Sequence, residues 1–114
     1  MAKRNVPSED AIVRAILKYL RSVPGCVAEK RHGGPMGKRG EPDITGCYKG
    51  RRFEIEVKRP GQEHRLTKLQ EYNMRKWASA GAVVALATGV EGARHVIRTI
   101  DAMESGGGAS GADR

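Results

Sequence analysis

No stretch of this 114-residue chain approaches the roughly 18 consecutive apolar residues that span a bilayer, which argues against a transmembrane protein. The opening MAKRNVPSED lacks the apolar segment of a secretory signal. The expected location is therefore the cytoplasm of the cell that makes it, with no membrane partner. Two cysteines, Cys26 and Cys47, are too few for a disulfide framework. Together with His32 and His64 they form no C-x-x-C or H-x-x-x-H pair, so a zinc site of the usual spacing is excluded. Both thiols read as small buried hydrophobes. Aromatics are scarce at 4%, and an apolar content of 39% suffices for one modest core and no second. Internal repeats are absent as well.

A glycine-rich loop is present, GGPMGKRGEP, but it lacks what a phosphate loop requires. The pattern G-x-x-x-x-G-K-[ST] needs glycine where His32 stands and Ser or Thr where Arg39 stands. A mobile basic loop that touches backbone phosphate is the expectation instead. Acidic balance is also lacking. The formal net charge is +8 and the pI near 9.9, which favours polyanionic partners and nucleic acid first. Lys30, Arg31, His32, Lys38, Arg39, Arg59 and Arg65 are the residues expected to meet phosphates, contacts that position DNA without reading its sequence. No helix carries Arg, Asn or Gln at base-reading spacing, which points to selection by DNA structure rather than by sequence.

What is present divides cleanly. Residues 1–7 read as a flexible N-terminus, residues 8–104 as a single domain, and residues 105–114, SGGGASGADR, as a flexible coil. The segment SEDAIVRAILKYLRSV is an amphipathic helix. Ser8 is its N-cap, Ile12, Val13, Ile16, Leu17 and Leu20 its buried stripe, and Pro24-Gly25 its stop. At about 100° per residue Glu9 projects onto the middle of that stripe; its carboxylate is aimed inward and needs a partner. CVAEKRH is a short strand. DITGCY and RRFEIEVK form a hairpin turned at Lys49-Gly50. A second helix runs over 67–79, with Leu66, Leu69, Asn73 and Trp77 near its inner stripe and Gln70 beside them. AVVALAT is a buried strand, and Val90, Ala93, Ile97 and Ile100 set a third helix over 90–104. The order α-β-β-β-α-β-α defines an α/β (α+β) fold, a mixed central sheet flanked by helices.

Within the hairpin the run Glu54-Ile55-Glu56-Val57-Lys58 alternates charge with aliphatic side chains. Strand alternation places Glu54, Glu56 and Lys58 on one face and Ile55 and Val57 on the other. Asp43, thirteen residues before Glu56 and behind a proline, falls near the same end if the hairpin closes. Two carboxylates from neighbouring strands, with the Val57 backbone carbonyl, are hard oxygen ligands suited to Mg²⁺, with Mn²⁺ as substitute. Such an ion stabilises charge on a phosphodiester. Lys58 would stand beside the attacking water, to orient it or take its proton.

Gly40-Glu41-Pro42-Asp43, then Glu56-Val57-Lys58-Arg59-Pro60-Gly61, then Leu66 to Gln70, resemble the PD-(D/E)XK nuclease superfamily. Within it the chain looks like a small stand-alone VRR-NUC member, over roughly residues 8–100. The resemblance implies a restriction-endonuclease-like core and Mg²⁺-dependent hydrolysis of DNA phosphodiesters leaving 5′-phosphate and 3′-hydroxyl ends. It implies Asp43 and Glu56 as metal ligands, Lys58 as the catalytic lysine and Gln70 as the glutamine of the adjacent helix. Glu9 resembles the first-helix acid that completes the cluster, at a second metal site or through water. Glu54 lies outside the motif and is read as a neighbour that tunes the site or faces solvent, and Glu41 as a variable position. Stand-alone members resemble Holliday junction resolvases and tend to be homodimers, which implies branched DNA and a second copy of the chain as partners. Recombination, repair and phage DNA packaging are the pathways left open. Nicking, flap or restriction-type cleavage, and a non-catalytic DNA-binding module, are the rival readings.

Overall fold

The computed structural model describes residues 6–32 and 39–112, with side chains up to residue 105. Lys38, expected among the phosphate contacts, lies outside the described residues. The element order is the one the sequence predicts, with one added turn of 3₁₀ helix. Helix α1 is Glu9–Arg21, β1 is Cys26–Lys30, β2 is Ile44–Tyr48 and β3 is Arg51–Val57. The 3₁₀ turn Glu63–Arg65 precedes α2, Lys68–Ser79; β4 is Val83–Ala87 and α3 is Val90–Ala112. The strands make one sheet in the order β1-β2-β3-β4. β1, β2 and β3 pair antiparallel and β4 runs parallel to β3. β4, expected to be buried on both faces, is instead an edge of the sheet and only partly buried before Ala87. Among the described residues one side of it has no strand beside it, and α2 covers its second face incompletely. This is an α+β architecture with a mixed sheet, broadly that of a restriction-endonuclease-like core.

Local chemistry explains where each element begins and turns. Ser8 caps α1 by accepting from the Ala11 amide at 3.1 Å, and Glu9 and Asp10 occupy the positive end of the helix dipole. Lys49 and Gly50 both have positive φ, 50° and 78°, the backbone that a two-residue hairpin loop needs to match strand twist. Helix α3 continues past the expected end at residue 104 into the glycine-rich tail, because no proline stands there to stop it and glycine tolerates helical dihedrals.

The sheet has two unlike faces. On one, Ala28, Ile44, Tyr48, Phe53, Ile55, Val57 and Ala87 pack against the apolar stripes of α1 and α3. This is the aliphatic core, and the five stripe residues expected on α1 are all buried in it. The cysteines expected to be buried are not, since Cys26 only flanks this core and Cys47 is exposed on the opposite face, paired with Arg52. Gly46 sits opposite Phe53 in the β2–β3 register. A Cβ there would fall into the Phe53 ring and the Val27 carbonyl. Gly46→Ala is therefore expected to destabilise the fold by about 1–3 kcal/mol, the usual cost of overpacking. Urea unfolding monitored by circular dichroism reads that change.

The other face is polar and only partly covered, by α2. Asn73 is the buried residue of that helix, whereas Leu69 is 46% exposed and Trp77 half-buried. The inner stripe expected on α2 is thus real in position but not apolar in environment. Trp77 lies over the Arg31 and Arg52 guanidiniums of the sheet rather than over aliphatic side chains. Among the described residues no helix is long and apolar enough to cross a membrane.

Candidate functional site

Hairpin register decides which side chains meet. Ile44 pairs with Ile55, so Asp43, one residue before β2, falls opposite Glu56. Lys30 pairs with Ile44, and the Arg31 amide donates to the Asp43 carbonyl at 2.8 Å. Arg31, Asp43 and Glu56 therefore form one row across three strands, on the polar face. Lys58 follows on the same face by alternation, its backbone N–H continuing the parallel ladder to the Ala87 carbonyl at 3.0 Å.

Asp43 is held by its own hydrogen bond: Oδ2 accepts from the Val57 amide at 2.8 Å. That bond draws the aspartate over the last residue of β3, whose carbonyl is the expected backbone ligand. Glu56 is 1% exposed. Its Oε2 lies 3.9 Å from the Lys58 Nζ, and its Oε1 is buried with no hydrogen-bond partner. Burial, and then the neighbouring Asp43 carboxylate, push the Glu56 carboxyl up to about 8, against the opposing pull of Lys58. An orphaned carboxylate oxygen costs about 1–3 kcal/mol or more when charged, so the fold carries a strained acid where two strands bring carboxylates together.

Glu9 stands differently from its expectation. It lies in line with the buried stripe of α1 but in the exposed first turn. Its charge still adds to the upward push on Glu56, so it faces the pair from the rim. Gln70 is also spoken for. Its Oε1 accepts from the Thr67 amide at 2.9 Å while its own amide donates to Thr67 Oγ1 at 3.1 Å, a complete capping box that starts α2. Its side-chain NH₂ and the second lone pair of Oε1 remain for any other role.

The expected phosphate contacts separate into two groups. Lys30, His32, Arg39, Arg59 and Arg65 are exposed, with Lys30 3.7 Å from Asp10 and the Arg59 Nε donating to the Pro7 carbonyl at 3.2 Å. Arg31 is not a free surface cation. Its Nη1 donates to the Pro42 carbonyl at 3.0 Å and pairs with Glu54.

Glu54 itself neither faces solvent nor stands idle. It is fully buried, and besides Arg31 it accepts from Thr45 Oγ1 at 2.7 Å and from Arg52 Nε at 2.9 Å. Both guanidiniums lie over the Trp77 ring, at 5.1 Å and 4.6 Å from its centroid. Trp77 in turn donates its Nε1–H to Glu41 at 2.9 Å, and Lys76 binds the other Glu41 oxygen at 2.9 Å. Burial opposes ionisation of Glu41, yet these hydrogen bonds outweigh it and hold the carboxyl below its usual range. Glu41 and Trp77 are 36 residues apart in the chain and meet only in the fold. Nothing in their spacing signals that helix α2 will lie on the polar face.

Among the described residues no group of three or more His, Cys, Asp and Glu side chains is placed to hold a metal ion. The donor set here is smaller: two carboxylates and a backbone carbonyl, with Lys58 beside them. It still fits Mg²⁺, which takes one or two protein carboxylates and fills the remaining positions from water and substrate phosphate. The Glu56 Oε1, buried without a hydrogen-bond partner, is the atom of this set that such a donor role would satisfy.

Fold and site together define an α+β protein with a paired-carboxylate and lysine centre at the open end of its hairpin. No protein-family model and no curated protein matches the chain, so chemistry rather than kinship has to carry the functional reading.

Proposed function

We propose that this protein is a Mg²⁺-dependent endodeoxyribonuclease of the PD-(D/E)XK type, acting on branched DNA such as four-way junctions, as a homodimer. The observation that carries the reading is the Asp43–Glu56 pair, with Lys58 Nζ 3.9 Å away and one Glu56 oxygen unpartnered in a buried position. A bound Mg²⁺ would supply charge neutralisation at the scissile phosphate and activation of the attacking water. Asp43, Glu56 and the Val57 carbonyl are the residues that would hold it. Asp43 is already aimed by the Val57 amide. Lys58, its ammonium largely shielded, orients the nucleophile and meets the charge that develops on the phosphate oxygens. The exposed cations Lys30, His32, Arg39, Arg59 and Arg65 hold the backbone, and Glu9 adds negative charge at the rim.

A DNA-binding module with a purely structural acid pair is the second reading. The buried, unpartnered Glu56 oxygen speaks against it, since phosphate binding gains nothing from clustered carboxylates that destabilise the fold. Incubation with a labelled four-way junction distinguishes the two. Cleavage with Mg²⁺ and none with EDTA is the expected outcome, with linear duplex cut more slowly. Junction binding without cleavage under Mg²⁺ and Mn²⁺ alike would establish the binding module.

A further inference from the structure

Asp43 lies outside regular structure, between Gly40, whose φ is +76°, and the first residue of β2. A carboxylate on such a segment works at a fixed place only if neighbouring side chains hold the backbone there. Both residues before it are held. The Pro42 carbonyl is gripped by Arg31, and the Glu41 carboxylate by Trp77 and Lys76. The Arg31 amide also holds the Asp43 carbonyl at 2.8 Å. Arg31 is in turn fixed by Glu54, which buries a full carboxylate to do so, and by the Trp77 face below. Burying an ion pair gives little net stability compared with apolar packing. Its return here is geometric.

We propose that Glu54 and Arg31 form a positioning pair: Glu54 orients the Arg31 guanidinium, which clamps the Pro42 carbonyl and so sets the Asp43 carboxylate against the Val57 amide and Glu56. Arg31 is thereby a positioning residue and not a phosphate contact. The inference rests on the reading of Asp43 and Glu56 as the working pair, but its first test does not need that reading to hold. The Val57 N–H donates to Asp43 Oδ2, so its amide reports the place of the aspartate in the metal-free protein.

Arg31→Lys is the informative substitution. Lysine keeps the charge but has no planar fork to serve Pro42 and Glu54 together while lying on Trp77. Amide exchange at Val57, followed by NMR, is expected to accelerate about tenfold or more relative to the rest of β3. Mn²⁺ affinity measured by calorimetry is expected to fall about 10- to 100-fold, and kcat with it, while KM for a junction stays within about twofold. Glu54→Gln, which keeps the side-chain volume, is expected to act in the same direction and serves if Arg31→Lys does not fold. Tyr48→Phe is the control for general loosening. It removes the Tyr48–Asp101 hydrogen bond at the opposite end of the hairpin and is expected to leave the Val57 amide unchanged.

Val57 exchange that stays at the wild-type value in both variants, or that rises equally in Tyr48→Phe, overturns the proposal. So does a loss of junction affinity in Arg31→Gln, which removes the charge, accompanied by a salt slope smaller by about one, since that marks a phosphate contact. Should the wild-type protein neither bind Mn²⁺ nor cut DNA, the nuclease reading falls, and the Val57 amide still decides whether Arg31 and Glu54 position Asp43.

Discussion

Lys58→Ala is expected to abolish junction cleavage while leaving junction affinity within about twofold of wild type. Loss of a positioned general acid–base or charge-stabilising group costs typically 10²- to 10⁴-fold in rate, about 3–5 kcal/mol of transition-state stabilisation. Affinity behaves differently because the chain carries a formal +8, and because the Lys58 side chain is only 10% exposed. A cation so shielded adds little to the field that a passing duplex meets. Single-turnover cleavage and a binding titration on the same preparation separate the two quantities. If affinity and cleavage fall together, Lys58 is a docking residue and the catalytic assignment is wrong. Lys58→Arg is expected to rescue poorly, since a planar guanidinium does not fit the place of a compact ammonium beside Glu56.

The second large effect concerns pH. In the metal-free protein the Glu56 carboxyl is pushed up to about 8, first by burial and then by Asp43. An unfolded chain releases that proton near pH 4.5, the ordinary value for the group. Between these two values the folded state holds a proton that the unfolded state has lost, so stability must fall as pH rises. The contribution is complete below about pH 4.5. It fades through neutrality and is gone above about pH 8. Its size is on the order of a few kcal/mol. Urea unfolding at pH 5.5 and 8.5 with EDTA present is expected to show it, and Glu56→Gln, which is neutral at both, is expected to remove the difference. Asp43→Asn, taking away the neighbouring negative charge, is expected to shrink it.

Metal reverses the balance. A cation takes the carboxylate only after the proton leaves, so Mn²⁺ affinity is expected to rise about tenfold per pH unit between 6 and 8 and then level off. Calorimetry in buffers of different ionisation enthalpy counts the proton released. A pH-independent Mn²⁺ affinity, together with a flat stability profile, would mean that Glu56 is an ordinary exposed acid and that the pair at the centre of the site does not exist.

The cation distribution also changes on folding. Basic residues crowd the hairpin in sequence, yet the hairpin turn and the acidic pair lie at opposite ends of β2 and β3. Lys49 is paired with Asp101 of α3 at 2.9 Å, and Arg51 donates to the Gly81 carbonyl at 3.2 Å. These residues fasten the far end of the sheet to its helices. Lys30, beside Asp10, and Arg59, on the Pro7 carbonyl, stay exposed instead at the end of the sheet where the carboxylates lie.

Much of this was legible in the chain itself. The stripe from Ile12 to Leu20, the Lys49-Gly50 turn, and the alternation through Glu56 and Lys58 are local patterns, because helical and strand periods place side chains on faces wherever the segment ends up. The hairpin register follows from a two-residue turn, and with it the meeting of Asp43 and Glu56. What covers each face is a different matter. Glu54 and Glu56 share one period and one face, but Glu54 meets three donors within the sheet, Thr45, Arg52 and Arg31, with Trp77 of α2 covering the two guanidiniums, whereas one Glu56 oxygen has no hydrogen-bond partner. Glu41 became an anchor by meeting Trp77 and Lys76 of α2, whereas the capping role of Gln70 is local to Thr67, three residues before it. Periodicity is a property of neighbouring residues, whereas the partners of a buried charge are whatever the tertiary fold sets beside it, from the adjoining strands as for Glu54 or from a distant helix as for Glu41.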